Sequence, residues 1–273
     1  MLGKLLKYEL KATGRIFLLV YLGLFVIALI SSFTLRSDIQ IIQAIFGFLL
    51  FALYTALLIV TIVLLIQRFY QNFLKDEGYL MFTLPVTPTM LITSKLIAAC
   101  IWCILSMFVG AVAALIVIQG FFDMATIMNA ITEFMSELVT WGFAIPASVV
   151  VLIILSCLAQ LVFSILHVYL SLAIGQLPPF GKYKILFSVI AYLVISVVVS
   201  IVSSVVTTIA GAYFYRHFST IEMAFGAYGM PVMSDIWTVI NQFLIGATIF
   251  NLILAAAAFV GTSLILQKKL NLE

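Results

Sequence analysis

The chain has 273 residues, of which 65% are hydrophobic and 8% are charged, and its formal net charge is +3. A soluble domain averages about 25% charged residues, so this composition excludes a water-soluble fold and indicates an all-α integral membrane protein. The apolar runs leave no room for a soluble catalytic domain of about 100 residues, and we expect no nucleic-acid partner.

The first 15 residues predict an amphipathic helix that lies at the membrane interface. Leucines share one helical face and lysines share the opposite face: Leu2, Leu5, Leu6 and Leu10 against Lys4, Lys7 and Lys11. The lysines would anchor the helix to anionic headgroups. Glu9 falls inside the apolar arc, which leaves two interpretations. Its carboxylate snorkels to the interface, which we favour, or it pairs with a basic residue of the loop between spans two and three.

Six apolar runs are long enough to cross a bilayer, and together they predict a single transmembrane domain over 1–273. The predicted spans are about 16–35, 39–66, 96–118, 143–174, 185–210 and 239–266. Residues 67–95 form the longest polar interruption. The segment 119–142 predicts a second, acidic amphipathic helix, and the aromatic segment 211–238 suits a membrane-interface belt.

The distribution of basic residues predicts the orientation. Eleven of the thirteen lysines and arginines fall on one side if both termini share that side with 67–95 and 175–184. Basic residues accumulate on the cytosolic side of membrane proteins, so we expect both termini and the 67–95 segment to be cytosolic. The segments 119–142 and 211–238 are then extracellular.

Catalytic and metal-binding motifs are missing from the sequence. Neither Gly3-Lys4 nor Gly181-Lys182 belongs to a phosphate-binding loop, and no metalloprotease or esterase motif occurs. We therefore predict no enzyme activity, no metal site and no cofactor bound by this chain. An ionisable side chain inside a span is a functional candidate, so His167, with Gln160 nearby, is a candidate for a transport pathway. A histidine that is bonded to a neighbouring helix is the more common case.

The segment 67–95 has the sequence features of a helix, a turn and a second helix. Residues 68–80 can form a short amphipathic helix, and Gly78 lets it end. Leu84-Pro85 favours extended backbone, and Thr87-Pro88 is a helix start with threonine as the N-cap and proline at the first position. A rigid element of this kind could transmit a conformational change in a soluble partner to the membrane spans. A well-capped loop with no further role is an equal alternative.

The same segment resembles the permease subunits of type-2 ATP-binding-cassette (ABC-2) exporters. The resemblance lies in Glu77-Gly78, Leu80, Leu84-Pro85-Val86-Thr87, Leu91-Ile92 and Lys95. The basic N-terminal helix and the six-span plan are similar to that family as well.

The resemblance implies two permease protomers, identical or paired with a sister chain, each docked on a cytosolic ABC ATPase subunit that binds ATP and Mg²⁺. A coupling helix between spans two and three would contact the ATPase. The implied coupling residues are Phe73, Asp76, Glu77, Gly78, Leu80, Pro85 and Thr87. Lys95 would anchor the third span at the headgroups, and 211–238 would form broken outer helices. Gly110 with Ala114, and Ala257 with Gly261, have the spacing of small-residue dimer contacts.

The leading hypothesis is therefore a permease subunit in a bacterial plasma membrane that exports an amphipathic substrate. That substrate would be an antimicrobial peptide, a drug or a lipid. Two alternatives stay open: a module that senses a peptide antibiotic and gives resistance to it, and a channel or secondary carrier that needs no ATPase. The scarcity of charged residues inside the spans counts against the carrier.

Overall fold

A computed structural model describes residues 2–34, 40–74, 87–140, 145–177, 183–225 and 233–268. These residues form seven α-helices. They are α1 (Leu2–Thr34), α2 (Gln40–Leu74), α3 (Pro88–Phe121), α4 (Met124–Thr140), α5 (Ala147–Ile174), α6 (Lys184–Phe225) and α7 (Met233–Lys268). All except α4 are long and apolar enough to cross a membrane, so the six spans predicted from the sequence correspond to six helices.

The helix α1 differs from the prediction of a separate interfacial helix over 1–15. It continues without a break from Leu2 to Thr34. The Thr13 hydroxyl donates to the Glu9 carbonyl at 2.9 Å within the helix, close to the predicted boundary. A change from amphipathic to apolar sequence does not interrupt the backbone hydrogen bonds of a helix. The amphipathic segment therefore forms the opening turns of the first membrane helix.

The helices α2 and α6 also extend past their predicted ends. Residues 68–74 continue α2 to Leu74, so the short helix predicted over 68–80 does not begin at residue 68. α6 continues past the predicted end at residue 210 as far as Phe225. No proline interrupts either extension, which explains why the helices persist. The predicted breaks at Gly226, Gly229 and Pro231 lie outside the described residues.

The described chain divides into two compact units, with the division after Ser136. In the first unit, α1 packs along α3, and α2 packs against both. α2 contributes Leu50, Leu57 and Leu64 to the core, and their seven-residue spacing keeps them on one face. The predicted single transmembrane domain over 1–273 stays a prediction.

In the second unit, α5 packs against α7 and against α6. Glycines allow close approach at both contacts. A Cβ on Gly261 of α7 would lie 3.0 Å from a methyl group of Leu170 in α5. A Cβ on Gly175, directly after α5, would lie 2.6 Å from the Ser188 backbone nitrogen and 2.7 Å from the Lys184 carbonyl oxygen of α6. No larger residue fits at Gly175 without moving the start of α6.

The helix α4 is amphipathic, as predicted for 119–142, and its apolar face is exposed. Met128 is 52% exposed, Ile131 50% and Phe134 59%. Such a face needs an apolar environment, and a helix lying in the plane of the membrane interface would provide one.

Candidate functional site

A buried ion pair joins α1 to α3. The Lys95 Nζ lies 2.6 Å from the Glu9 Oε1, across 86 residues of sequence. The Lys95 side chain is 3% exposed and that of Glu9 is 13% exposed. Removing two charges from water is costly, and a close pair recovers part of that cost. The pair therefore depends on α1 and α3 staying in register.

Each partner belongs to a buried stripe on its own helix. In α1 the stripe begins one turn after Glu9 and contains Thr13, Gly14, Phe17, Tyr21, Leu24, Ala28 and Ser31. In α3 the residues around Lys95 are buried in the same way: Leu91, Ile92, Ser94, Ala98, Ala99 and Trp102. Steps of three and four residues keep a stripe on one helix face. Glu9 thus lies at the start of the buried face of α1, whereas Lys95 lies within the buried face of α3.

An aromatic contact follows the ion pair further into the unit. The rings of Phe17 and Trp102 stack with their centroids 4.4 Å apart and their planes 9° apart. The indole lies over Gly14, where an added Cβ would be in ordinary van der Waals contact with the ring at 3.6 Å. The stack extends the contact between α1 and α3 beyond the ion pair.

A chain of hydroxyl groups then connects α1, α3 and α2. The Thr61 hydroxyl donates to the Leu57 carbonyl at 2.7 Å, which uses its only proton. The Thr61 hydroxyl oxygen also lies 3.3 Å from the Ser106 hydroxyl, and the Tyr21 hydroxyl bonds to Ser106 at 2.8 Å and lies 3.5 Å from the Trp102 carbonyl. A further bond runs from the Tyr54 hydroxyl to the Gly110 carbonyl at 2.6 Å, joining α2 to α3. Hydrogen bonds of this kind hold helices together in lipid.

The structure decides between the two interpretations of Glu9. Its carboxylate pairs with Lys95, a basic residue of the 67–95 segment, so the salt bridge is correct and the favoured snorkelling interpretation is wrong. Lys95, the predicted headgroup anchor of the third span, has a buried ammonium with a carboxylate partner, and its anchoring role stays a prediction. Lys4, Lys7 and Lys11 are exposed, as a role at the headgroups requires, and that role stays a prediction.

Of the predicted coupling residues, the structure describes few. Thr87 is the N-cap of α3 and is exposed, and proline follows it at the first helical position, as predicted. The Thr87 side chain makes no capping bond to the backbone. The backbone of Phe73 lies in the last turn of α2. Asp76, Glu77, Gly78, Leu80 and Pro85 lie outside the described residues.

The predicted pathway residues lie on α5 in the second unit. His167 is 7% exposed, and its ring stacks between Phe163, at 5.7 Å, and Tyr192 of α6, at 4.6 Å. Its Nε2 has no hydrogen-bond partner among the described residues. Gln160 is exposed, two turns before His167. The ring therefore packs α5 against α6, and the pathway role of both residues stays a prediction.

Sequence reasoning missed Trp102, Ser106 and Thr61. A signal was present, since Glu9, Thr13, Phe17 and Tyr21 recur every four residues and mark one face of α1. That spacing identifies the face but not the helix that covers it.

Comparison with known proteins adds no family to these observations. No protein-family model, no curated protein and no solved structure significantly matches the chain. The geometry of the first unit and the residues that resemble those of the ABC-2 permeases are therefore the observations that bear on function.

Proposed function

We propose that the chain is the transmembrane permease subunit of an ABC-2-type exporter. In this proposal a separate cytosolic ATPase binds ATP and Mg²⁺ and supplies the energy. The substrate is amphipathic: an antimicrobial peptide, a drug or a lipid. The observation that carries the proposal is the buried ion pair between Glu9 and Lys95.

The ion pair lies close to the point where the segment 67–95 continues into α3. Any movement of a coupling segment would be transmitted to the membrane helices through this point. α3 begins at Pro88, directly after the polar segment, and Lys95 lies two turns into that helix. A displacement of the segment would enter α3 at Pro88 and reach Lys95 within about 11 Å, at 1.5 Å per residue. The ion pair and the stacking of Phe17 on Trp102 would then move α1 together with α3.

The proposed exporter also has a dimeric assembly and a defined orientation in the membrane. Two protomers, identical or paired with a sister chain, would enclose the path, and each would dock on one ATPase. Both termini would lie in the cytosol of a bacterial cell, with the chain in its plasma membrane. The exposed lysines at the start of α1 would then face anionic headgroups on the cytosolic side.

The first experiment is co-purification. The tagged chain is expressed with its genomic neighbours and isolated in detergent. We expect an ATPase to accompany it, and we expect Glu77→Ala or Leu80→Ala to release that ATPase. If the chain purifies as a stable oligomer without an ATPase, the exporter proposal is wrong, and a channel, carrier or sensing module takes its place.

A second experiment separates docking from coupling. Lys95→Met removes the ammonium from the ion pair without touching the polar segment. We expect this variant to retain the ATPase but to lose most of the stimulation of ATP hydrolysis by substrate. Lys11→Met is the matched control, because Lys11 is an exposed lysine on α1, and we expect its stimulation to be unchanged. If substrate stimulates ATP hydrolysis equally in the two variants, the ion pair takes no part in coupling.

A further inference from the structure

A groove runs between α6 and α7 in the second unit. Both helices pack on α5, whereas over the described residues they make few contacts with each other. Two adjoining cavities, of about 470 and 270 Å³, form the groove, and both are lined by Val206, Ala210, Gln242 and Phe243. A ligand site of this size in a soluble protein would hold a small organic molecule.

The length of the groove matches one leaflet of a bilayer. On α6 its lining extends from Ser203 to Tyr213, and on α7 from Val239 to Asn251. Ten residues of helix rise about 15 Å, which is half of the roughly 30 Å hydrocarbon core. Tyr213 and the nearby Trp237 belong to the aromatic segment expected at the interface. The groove therefore begins near the headgroups and reaches about the middle of the bilayer.

The groove is open at the side that faces the surroundings. Gln242, Phe243 and Gly246 are all exposed, and Phe243 is 47% exposed. No atom lies within 4 Å of a Cβ built on Gly246, so the glycine widens the opening. In a membrane these surroundings are lipid, and a lipid chain can enter the groove sideways.

The described lining residues carry polar groups but no charge. The side chains of Ser203, Gln242 and Asn251 have no hydrogen-bond partner among the described residues. By contrast, the neighbouring Thr207 hydroxyl donates to the Ser203 carbonyl at 2.8 Å. An amide without a partner is costly in hydrocarbon, so Gln242, at the end of the groove near the membrane surface, favours a ligand that offers hydrogen bonds there. The uncharged character of the described lining favours an uncharged ligand.

We infer that this groove binds a bilayer lipid with an uncharged headgroup. The acyl chain lies along Val206, Phe243 and Phe250, and the hydroxyl and ester groups bond to Gln242 near the membrane surface. Asn251 and Ser203 line the deep end of the groove. The site is built from α6 and α7 alone, so it does not depend on an ATPase or on the proposed export function.

Photo-crosslinking of the chain alone tests the site. The chain is reconstituted in vesicles with a trace of diacylglycerol that carries a diazirine on its acyl chain. A parallel sample contains phosphatidylglycerol with the same acyl chain. After illumination, mass spectrometry locates the labelled peptides. We expect labels within 203–213 and 239–251, with the diacylglycerol probe several-fold above the phosphatidylglycerol probe.

Three variants distinguish a specific site from general contact with lipid. We expect Gln242→Leu to lower diacylglycerol labelling of the groove several-fold. Gly246→Phe places a ring in the open space, and we expect it to abolish that labelling. Gly47→Phe is the matched control, because a Cβ on Gly47, in α2 of the other unit, also meets nothing within 4 Å. We expect the groove to be labelled in this variant as strongly as in the unchanged chain. Circular dichroism and gel filtration verify the fold of each variant.

Several results would overturn the inference. Equal labelling by the two probes would show that the headgroup is not selected. Unchanged labelling in Gln242→Leu would show that this amide does not bind the lipid, even if Gly246→Phe fails to fold. Disulfide-linked dimers of Phe243→Cys without lipid labelling would show that a second copy of the chain covers the groove.

Discussion

The two compact units hold their helices together in different ways. In the first unit, side chains bond from one helix to another, through Glu9 with Lys95 and through the chain from Tyr21 to Ser106 and Thr61. Hydroxyls that donate to a carbonyl of their own helix occur in both units, for example Thr13 and Thr93 in the first and Ser164 and Thr208 in the second. In the second unit, a hydrogen bond runs from the side-chain amide of Asn241 in α7 to the Ser148 hydroxyl of α5 at 3.3 Å. There, close approach at Gly175 and Gly261 brings the helices together.

This difference shows two solutions to one problem. Lipid tails are as apolar as leucine, so apolar side chains alone give helices little reason to associate within a membrane. Polar bonds between helices solve the problem in the first unit, and they also fix the register of α1 on α3. In the second unit, close packing at Gly175 and Gly261 acts together with the bond from Asn241 to Ser148, and the groove beside α7 stays open.

The largest expected effect comes from breaking the ion pair. Lys95→Met leaves the Glu9 carboxylate without its ammonium partner in a buried place. Removing one member of a buried pair costs about 3 kcal/mol, and we expect a loss of that size in the free energy of unfolding. Titration with a denaturing detergent measures it. Lys11→Met is the control and should change it little. A loss below about 1 kcal/mol would contradict a structural role for the pair.

The next largest effect tests the close approach in the second unit. Gly175→Ala forces the start of α6 away, because the new methyl group would meet the backbone of Ser188 and Lys184. Overpacking of this kind costs about 2 kcal/mol. The midpoint of thermal unfolding in detergent should fall accordingly. Gly246→Ala, where a Cβ meets nothing within 4 Å, should leave the midpoint unchanged or raise it. Equal midpoints for the two variants would refute the tight contact.

A smaller effect tests the hydroxyl chain of the first unit. Tyr21→Phe removes the hydroxyl that bonds to Ser106 but keeps the ring, and we expect a loss of about 1 kcal/mol in the free energy of unfolding. Tyr8→Phe provides the control, since Tyr8 is 71% exposed. The same detergent titration compares the two variants. If they are equally stable, the chain from Tyr21 to Thr61 contributes nothing to the packing of the helices.

The smallest effect belongs to hydroxyls that bond only within their own helix. The Thr208 hydroxyl donates to the Ser204 carbonyl, and the side chain is exposed. We expect Thr208→Val to change the free energy of unfolding by less than about 0.5 kcal/mol. Ser106→Ala, which interrupts a bond between helices, should cost more. If Thr208→Val lowers the free energy of unfolding more than Ser106→Ala does, the bonds between helices stabilise the protein less than the bonds within one helix.

Local features of the sequence predicted much of the fold. Six apolar runs predicted six membrane helices, because a backbone in lipid must satisfy its own hydrogen bonds. The Thr87-Pro88 pair predicted the start of α3 correctly, because proline at the first helical position needs no partner for a missing N–H. The helices continue across the predicted span boundaries at residues 15 and 210, and those boundaries stay predictions. A change in polarity marks where a helix leaves the bilayer, but it does not end the helix.

Among the site residues, the sequence by itself determined that Glu9 lies on the apolar face of its helix. It could not name the partner, because Lys95 is 86 residues away and only the packing of α1 on α3 brings the two together. The same holds for Gly110 and Gly261, whose spacing predicted contacts between protomers. In the structure Tyr54 and Leu170 of the same chain lie against them. Periodicity along one helix identifies a buried face, whereas the residue that covers this face depends on the tertiary structure.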